Sequence, residues 1–179
     1  DPNTTEYNLS LYNLPEQLKL RDLKTDRIGC LSRVTGTVTR TSEVRPELVL
    51  AHFQCLDCYT EQEPTEQQFK FTEPIMCKNP TCANRKNWFL NIDKSKFIDF
   101  QRVRIQENSN EIPAGSMPRS LDVIVRHEMV DRAKPGDKVV FTGTLVVVPD
   151  ISQMSAPGER AEAVRETGKR NAFVSEGVT

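Results

Sequence analysis

Alternation of apolar and polar positions is the main signal along this chain, and it predicts strands rather than helices. Five stretches carry the pattern, at residues 28–42, 47–56, 96–107, 119–129 and 137–150. Helical periodicity is weak, and the lead-in "NLPEQLKLRDLKTDR" has room for one short turn. The turn "KPGD" before the last stretch contains Pro135 and Gly136, which suit a reversal of the chain. The pattern therefore predicts a mainly β protein.

Five strands with glycines at 29 and 36, where a strand would bend, fit a small closed Greek-key barrel of the OB-fold type. A β-sandwich is the alternative, but it requires more strands than the pattern offers. We expect a lead-in at 1–26, the barrel at 27–54 and 93–150, an inserted module at 55–92, and a polar C-terminal hairpin extension at 151–179.

Four cysteines in the inserted stretch predict a metal site. Cys55 and Cys58 form a C-x2-C pair, and after 18 intervening residues Cys77 and Cys82 form a C-x4-C pair. Two such pairs are typical of a zinc ribbon, in which four thiolates bind zinc tetrahedrally. The polar sequence between them, including "TEQEPTEQQFKFTEP", cannot build a core, so binding of metal has to supply folding free energy.

Other uses of the cysteines fit less well. A disulfide framework is disfavoured by the odd total of five cysteines and by the lack of an apolar signal segment. A redox site of the thioredoxin type needs a single C-x2-C in a βαβ unit. A site of three cysteines and His52 is disfavoured because four thiolates already complete the tetrahedron. Cys30, the fifth cysteine, is expected to be a small buried hydrophobic residue.

Composition excludes some classes of protein but does not single one out. The 24 basic and 25 acidic residues nearly cancel, so only the distribution of charge can indicate nucleic acid. No run approaches the roughly 18–20 apolar residues that cross a membrane. Cysteines of the metal-binding kind fit a reducing, intracellular compartment.

Arginines recur on the predicted strands. Arg102 and Arg104 share one strand face because side chains alternate with a period of two. Arg33 and Arg40 lie on the first strand, and Arg119 begins the fourth. OB-folds bind single strands across one sheet face, which makes these arginines candidates for DNA contact. The alternative is that they are ordinary solvated charges that protect strand edges.

Catalytic signatures do not stand out in the sequence. There is no G-x-x-x-x-G-K-[ST] phosphate loop, so we expect no ATP hydrolysis from this stretch. His52 and His127 have no nucleophile pattern beside them. A metal-dependent hydrolase would need an open coordination position, and four thiolates leave none.

Long ordered blocks of the chain resemble the minichromosome maintenance (MCM) replicative helicase family. They are "YNLPEQLKLRDLKTDRIGCLSRVTGTVTRTSEVRPEL", "FQCLDC", "EQQFKFTEPIMCKNPTCANR", "FIDFQRVRIQE", "EIPAGSMPRSLDVIV" and "PGDKVVFTGTLVVVPD". The resemblance implies a non-catalytic N-terminal tier, made of an OB-fold and a zinc module, of an ATP-dependent helicase ring around DNA.

Further expectations follow from the resemblance. It implies DNA contacts from Arg33, Arg40, Arg102, Arg104 and Arg119, and a channel hairpin at 151–179 with Lys169 and Arg170 near its tip. It implies single- and double-stranded DNA, other MCM subunits in a heterohexamer and a head-to-head double hexamer, and replication initiation factors as partners. It also implies zinc as cofactor and a nuclear location. The competing function is a zinc-stabilised protein-interaction module that never touches DNA.

Overall fold

The computed structural model describes residues 9–68 and 71–148, and the backbone of residues 171–178. The chain divides into two compact units, one formed by Asp1–Val44 with Phe100–Thr179 and the other by Arg45–Asp99. No helix in the described residues is long and apolar enough to cross a membrane.

Strands dominate the described residues, and the helical elements are short 3-10 turns. The strands are β1 (Leu31–Thr41), β2 (Arg45–Ala51), β3 (Phe53–Cys55), β4 (Thr65–Glu66), β5 (Trp88–Leu90), β6 (Lys96–Gln106), β7 (Ser120–Arg126), β8 (Lys138–Val147) and β9 (Asn171–Val178). The 3-10 turns are Leu20–Asp22, Thr25–Arg27, Ser109–Glu111 and His127–Met129. The predicted short turn in the lead-in thus becomes two.

Five strands of the first unit form the barrel. β1 pairs with β8, β8 with β9, and β7 with β6, all antiparallel, whereas β9 and β7 are parallel. β6 pairs again with β1, so the order of pairing returns to the first strand. The predicted mainly β, OB-type barrel is confirmed, but β9 takes the place of the predicted strand at 47–56, which belongs to the second unit.

The return pairing is short, and this corrects the expectation of a closed barrel. It joins Thr37–Thr41 to Val103–Gln106 through four residue pairs, with an irregularity between Val38 and Arg40. A partly open barrel is usual for the OB-fold. Gly36 permits the approach of these strands, because a Cβ atom there would lie 3.0 Å from the Gln106 carbonyl oxygen and 3.2 Å from Ile105.

The barrel interior is a hydrophobic cluster. Alternate residues of β1 and β6 point into it, so that Val34, Val38, Val103 and Ile105 are each at most 1% exposed. The full set is Leu20, Val34, Val38, Val103, Ile105, Leu121, Val123, Val125, Ala133, Val139, Phe141 and Leu145. This alternation confirms that Arg102 and Arg104 face outward from β6.

A buried carboxylate ties the lead-in to the barrel. The Glu107 side chain is 1% exposed, and one of its oxygens lies 2.8 Å from Arg21 Nε. Its other oxygen accepts a hydrogen bond of 2.9 Å from the Arg119 backbone N–H. Burial by itself raises the pKa of Glu107, but the bonds from Arg119 and Arg21 outweigh burial and hold this pKa below its ordinary value.

The second unit is built differently. β2 pairs with β4, and β3 pairs with β5 so that Cys55 stands opposite Trp88. Phe53 is 2% exposed and meets Phe71 edge to face, with ring centroids 5.8 Å apart. The rest of this unit is mostly irregular, which agrees with its polar sequence.

Part of the predicted C-terminal extension belongs to the barrel. Residues 171–178, which sequence analysis assigned to the hairpin extension, form β9 of the barrel. The remainder of that extension, together with its tip residues Lys169 and Arg170, lies outside the described residues.

Candidate metal centre and nucleic-acid interface

The first cysteine pair sits where β3 ends in a tight turn. Tyr59 N–H donates to the Cys55 carbonyl at 2.9 Å, and Cys55 N–H donates to the Thr60 carbonyl at 3.0 Å. Tyr59 adopts a left-handed conformation with φ of 56°, which few non-glycine residues adopt. The turn brings Cys58 back toward Cys55.

The second pair is held by asparagines. Cys82 N–H donates to the Asn79 carbonyl at 3.0 Å, and Cys77 N–H donates to the Asn84 carbonyl at 3.1 Å. The Asn79 side chain accepts from Thr81 N–H at 3.2 Å, which fixes the turn between the two cysteines. Local hydrogen bonds therefore aim both thiols inward.

The four sulfur atoms form a compact cluster. They all lie within 4.8 Å of one another. Cys55 Sγ and Cys82 Sγ are 3.8 Å apart, and Cys58 Sγ and Cys77 Sγ are 3.5 Å apart. A tetrahedral zinc ion with Zn–S bonds of about 2.3 Å places its sulfur ligands ~3.8 Å apart. The cluster has the dimensions of a four-thiolate metal site.

Two buried side-chain amides brace the cluster, and each contacts a sulfur atom of the cysteine pair that lies farther from it in sequence. Gln62 follows the first pair, yet its Nε2 lies 3.4 Å from Cys77 Sγ, and its Oε1 accepts from Lys78 N–H at 2.8 Å. Asn84 follows the second pair, yet its Nδ2 lies 3.0 Å from Cys55 Sγ. Amide N–H donors disperse the negative charge of thiolates and orient them. The sequence pattern did not indicate these two amides, because the stretch around Gln62 is typical of a solvated loop.

Hydrogen bonds, burial and neighbouring thiols shift the pKa values of Cys58 and Cys82 in opposite directions. Hydrogen bonds with the Thr60 hydroxyl and Thr60 backbone lower the pKa of Cys58 to about 6, against the effect of burial. A backbone hydrogen bond at Asn84 lowers the pKa of Cys82, but burial and the neighbouring thiols outweigh it and raise this pKa to about 12. Burial and the neighbouring thiols thus oppose ionisation of Cys82, and a bound cation would favour it.

The other candidates for metal binding lie elsewhere. Within the described residues, the cluster of metal-ligating groups comprises the four cysteines, and His52 is not among them. Cys30 was expected to be buried and is exposed, which corrects that prediction. It precedes β1, so the strand alternation that predicted its burial does not extend to it.

Three predicted arginines gather on the outer surface of the barrel. Arg102 is exposed on β6, and Arg104 follows two residues later on the same face. Arg40 stands directly opposite Arg104 in the β1–β6 pairing. We call Arg40, Arg102 and Arg104 the arginine face. Like charges opposite each other destabilise a sheet unless an anion lies near.

The arginine face contains its own carboxylate. Arg104 donates from Nε to Asp122 Oδ1 at 2.7 Å and from Nη2 to Asp122 Oδ2 at 3.1 Å. The Asp122 side chain is 7% exposed and that of Arg104 is 40% exposed. Sequence alternation alone could not have revealed this partner, since it depends on the register of β6 against β7.

The remaining candidate arginines engage other parts of the first unit. Arg33 is half-buried, and its Nη1 donates to the Leu14 carbonyl at 3.0 Å and to Asn13 Oδ1 at 3.3 Å. Arg119 is exposed, with Nη1 3.4 Å from the Arg21 carbonyl. These two side chains hold the lead-in against the barrel.

The middle of the β1 outer face is also engaged. Thr37 Oγ1 lies 2.9 Å from Asn108 Oδ1, and Asn108 Nδ2 lies 3.5 Å from Thr35 Oγ1 and 3.3 Å from Glu111 Oε1. The structure thus brings Arg40, Arg102 and Arg104 together on the arginine face. Arg33 and Arg119 instead form hydrogen bonds with the lead-in.

Comparison with known proteins agrees with this architecture. Residues 19–149 match the family model of the MCM OB domain. The chain is 58% identical over 170 residues to the DNA replication licensing factor MCM6 of Arabidopsis thaliana, which covers 95% of this chain and 20% of the relative. It is 56% identical over 173 residues to the factor mcm6 of Schizosaccharomyces pombe, covering 97% of this chain and 19% of the relative.

An animal relative gives the same result. The zygotic factor mcm6-B of Xenopus laevis is 51% identical over 177 residues, covering 99% of this chain and 22% of the relative. The chain thus spans about a fifth of the length of these relatives. The stretches "CLDC…EQQFK" and "MPRSLDVIV" resemble the sixth subunit of the family, and the relatives named MCM6 confirm this resemblance. The chain belongs to the minichromosome maintenance (MCM) family, whose OB domain it contains.

Proposed function

We propose that this chain is the non-catalytic N-terminal tier of a hexameric DNA replication helicase. In this role it contacts DNA in the channel of the ring and takes part in ring and double-ring assembly. The relatives carry the name DNA replication licensing factor, which supports a role in replication and, with it, action in the nucleus. Its proposed partners are DNA, other MCM subunits and replication initiation factors.

The observation that carries the DNA proposal is the arginine face. Arg40 and Arg104 stand opposite each other, and Arg102 lies two residues along β6. Asp122 offsets one of the three positive charges, and a phosphate backbone would offset those of Arg40 and Arg102. We propose supporting roles for Arg33 and Arg119, because their hydrogen bonds fix the lead-in beside the barrel. Lys169 and Arg170 remain proposed contacts on the resemblance alone.

We propose zinc as the resident metal of the cysteine cluster. The donors are four thiolates at tetrahedral spacing, and soft sulfur ligands in this number select zinc for a structural site. When bound, the ion would neutralise the thiolates and join the two cysteine pairs. It would supply folding free energy to the second unit rather than chemistry.

A second candidate is a protein-interaction module without DNA contact. The observation that favours it is the apolar surface of the second unit, where large side chains are about half or more exposed. These residues are Leu56, Tyr59, Ile75, Met76, Phe89 and Ile92. Such exposure marks protein interfaces, and it is compatible with DNA binding by the other unit.

A salt series of single-strand binding separates the two candidates. The full-length protein, assembled with its partner subunits, carries Arg40→Ala or Arg102→Ala and is titrated with labelled oligo-dT. Each lost phosphate contact should flatten the log–log salt dependence by about 0.7 for single strands. The effect per subunit is small because the ring multiplies weak contacts through effective concentration.

The matched control is Arg132→Ala, which removes an exposed arginine outside β1 and β6. Zinc content and thermal stability are measured on every variant. If Arg40→Ala and Arg102→Ala bind with the same affinity and slope as Arg132→Ala, the arginine face does not contact DNA and the interaction module is the better description.

A further inference from the structure

Three charged residues, two positive and one negative, form a row that crosses three strands of the barrel. Arg40 on β1 is the register partner of Arg104 on β6, and Arg104 is the register partner of Asp122 on β7. Neighbouring strands lie about 4.8 Å apart, so the two arginines and the carboxylate are consecutive neighbours. The carboxylate offsets the repulsion between the two arginines in the free protein.

The ion pair in this row has an exposed and a buried member. Two parallel hydrogen bonds of 2.7 and 3.1 Å use both oxygens of Asp122. This bidentate arrangement is the strongest form of the interaction between arginine and carboxylate. Only 7% of the Asp122 side chain is exposed, against 40% for Arg104. Asp122 is thus fixed in place, since a buried carboxylate that loses its partner is strongly destabilised.

Arg102 provides an internal comparison. It lies on the same face two residues away, and its register partner on β7 is the apolar Ile124. Its charge is therefore not offset by its partner on β7, whereas the charge of Arg104 is. A phosphate that approaches the arginine face meets the field of Arg102 and Arg40, but at Arg104 it meets a nearly neutral pair.

We propose that Asp122 is an affinity-limiting residue of the arginine face: it competes with DNA phosphate for Arg104 and keeps single-strand binding weak. This inference rests on the proposed DNA contact of that face. A weak grip suits a ring tier along which DNA has to move, because strong phosphate contacts slow dissociation.

Removal of the carboxylate tests the inference most directly. The full-length protein with Asp122→Asn, assembled with its partner subunits, is titrated with labelled oligo-dT from about 50 to about 200 mM salt. We expect affinity at low salt to rise about three- to tenfold, the size of a Coulomb change between nearby charges at a surface. The salt slope should steepen by up to about 0.7. The control Glu128→Gln removes an exposed carboxylate of the same unit and should change neither.

A double variant removes the pair without leaving a buried charge. Arg104→Ala with Asp122→Asn should bind within about twofold of wild type, because a nearly neutral pair has been deleted. Arg102→Ala should lower affinity and slope in the same assay. The double variant keeps the test informative even if Asp122→Asn alone folds poorly. Thermal melting and zinc content would reveal such a folding defect.

Three results would overturn the inference. A fall in affinity for Asp122→Asn would mean that the carboxylate orients Arg104 for phosphate. A loss in the double variant as large as that of Arg102→Ala would mean that Arg104 binds phosphate with its full charge. No change in Asp122→Asn, while Arg102→Ala weakens binding, would refute this inference and leave the proposed function standing. If Arg40→Ala and Arg102→Ala also change nothing, the proposed DNA contact itself is wrong.

Discussion

The first unit buries twelve hydrophobic side chains in one cluster. Among the described residues of the second unit, the buried hydrophobic side chains are Ala51 and Phe53, besides two cysteines. Each large side chain removed from water contributes about 1.5–3 kcal/mol, so the barrel has a conventional source of stability. The second unit has little of it. Its buried polar residues Gln62 and Asn84 instead hydrogen-bond to cysteine sulfur atoms.

This difference shows two ways to stabilise neighbouring parts of one chain. The barrel depends on apolar burial, which is distributed over many side chains and tolerates small changes singly. The second unit depends on four thiols and, we propose, on one ion, so each ligand is indispensable.

Loss of one thiol should have the largest effect. Cys55→Ser, or removal of metal with a chelator, should unfold residues 55–92, since zinc binding supplies about 10–16 kcal/mol in small zinc modules. The barrel strands should persist because their core contains no cysteine. Metal content and hydrogen exchange check this. A purified protein with intact thiols and no stoichiometric metal would refute the zinc proposal.

A core truncation in the barrel should destabilise the first unit and leave the metal site of the second unit intact. Phe141 is 0% exposed, and Phe141→Ala should lower the free energy of unfolding by about 3–5 kcal/mol. Denaturant titration of the full chain measures the loss. Metal content under native conditions should remain at one ion per chain, and its loss would show that the second unit depends on the barrel core.

Removal of an amide brace should give an intermediate effect within the second unit. Asn84→Ala deletes the 3.0 Å contact to Cys55 Sγ and should weaken metal retention about 10- to 100-fold. Transfer of metal to a competing chelator measures it. Asn87→Ala is the matched control, because the Asn87 side chain contacts Asp57 rather than sulfur. Equal retention in both variants would contradict the bracing role of Asn84.

A charge change in the first unit should be smaller and should depend on pH. Glu107→Gln removes the partner of Arg21 and should lower the free energy of unfolding by about 2 kcal/mol at neutral pH. Because folding lowers the pKa of Glu107, its contribution is complete above the ordinary value of about 4.3 and disappears as pH falls through the lower folded-state value.

The difference between Glu107→Gln and wild type should therefore shrink below about pH 4. Denaturant titrations at several pH values test this. Glu63→Gln is the control, since Glu63 pairs with Lys78 with both side chains exposed, and such pairs contribute less than about 1 kcal/mol. A difference for Glu107→Gln that does not change with pH would contradict the ion-pair explanation.

The sequence by itself determined four of the five barrel strands, the four cysteines that cluster, and the outward direction of Arg102 and Arg104. These features depend on spacing along the chain: a period of two for strands and fixed separations between cysteines. The burial predicted for Cys30 was wrong, because Cys30 lies before β1 begins and the strand alternation does not reach it. The family was also accessible from ordered blocks of residues.

The tertiary structure decided which distant residues meet. Asp122 is paired with Arg104 by the register of two strands, and Gln62 reaches Cys77 across the two cysteine turns. The tertiary structure also placed residues 171–178 in the barrel, where they pair with both β7 and β8 and satisfy backbone groups of those strands. Pairing partners of this kind depend on three-dimensional register, which local sequence patterns do not encode.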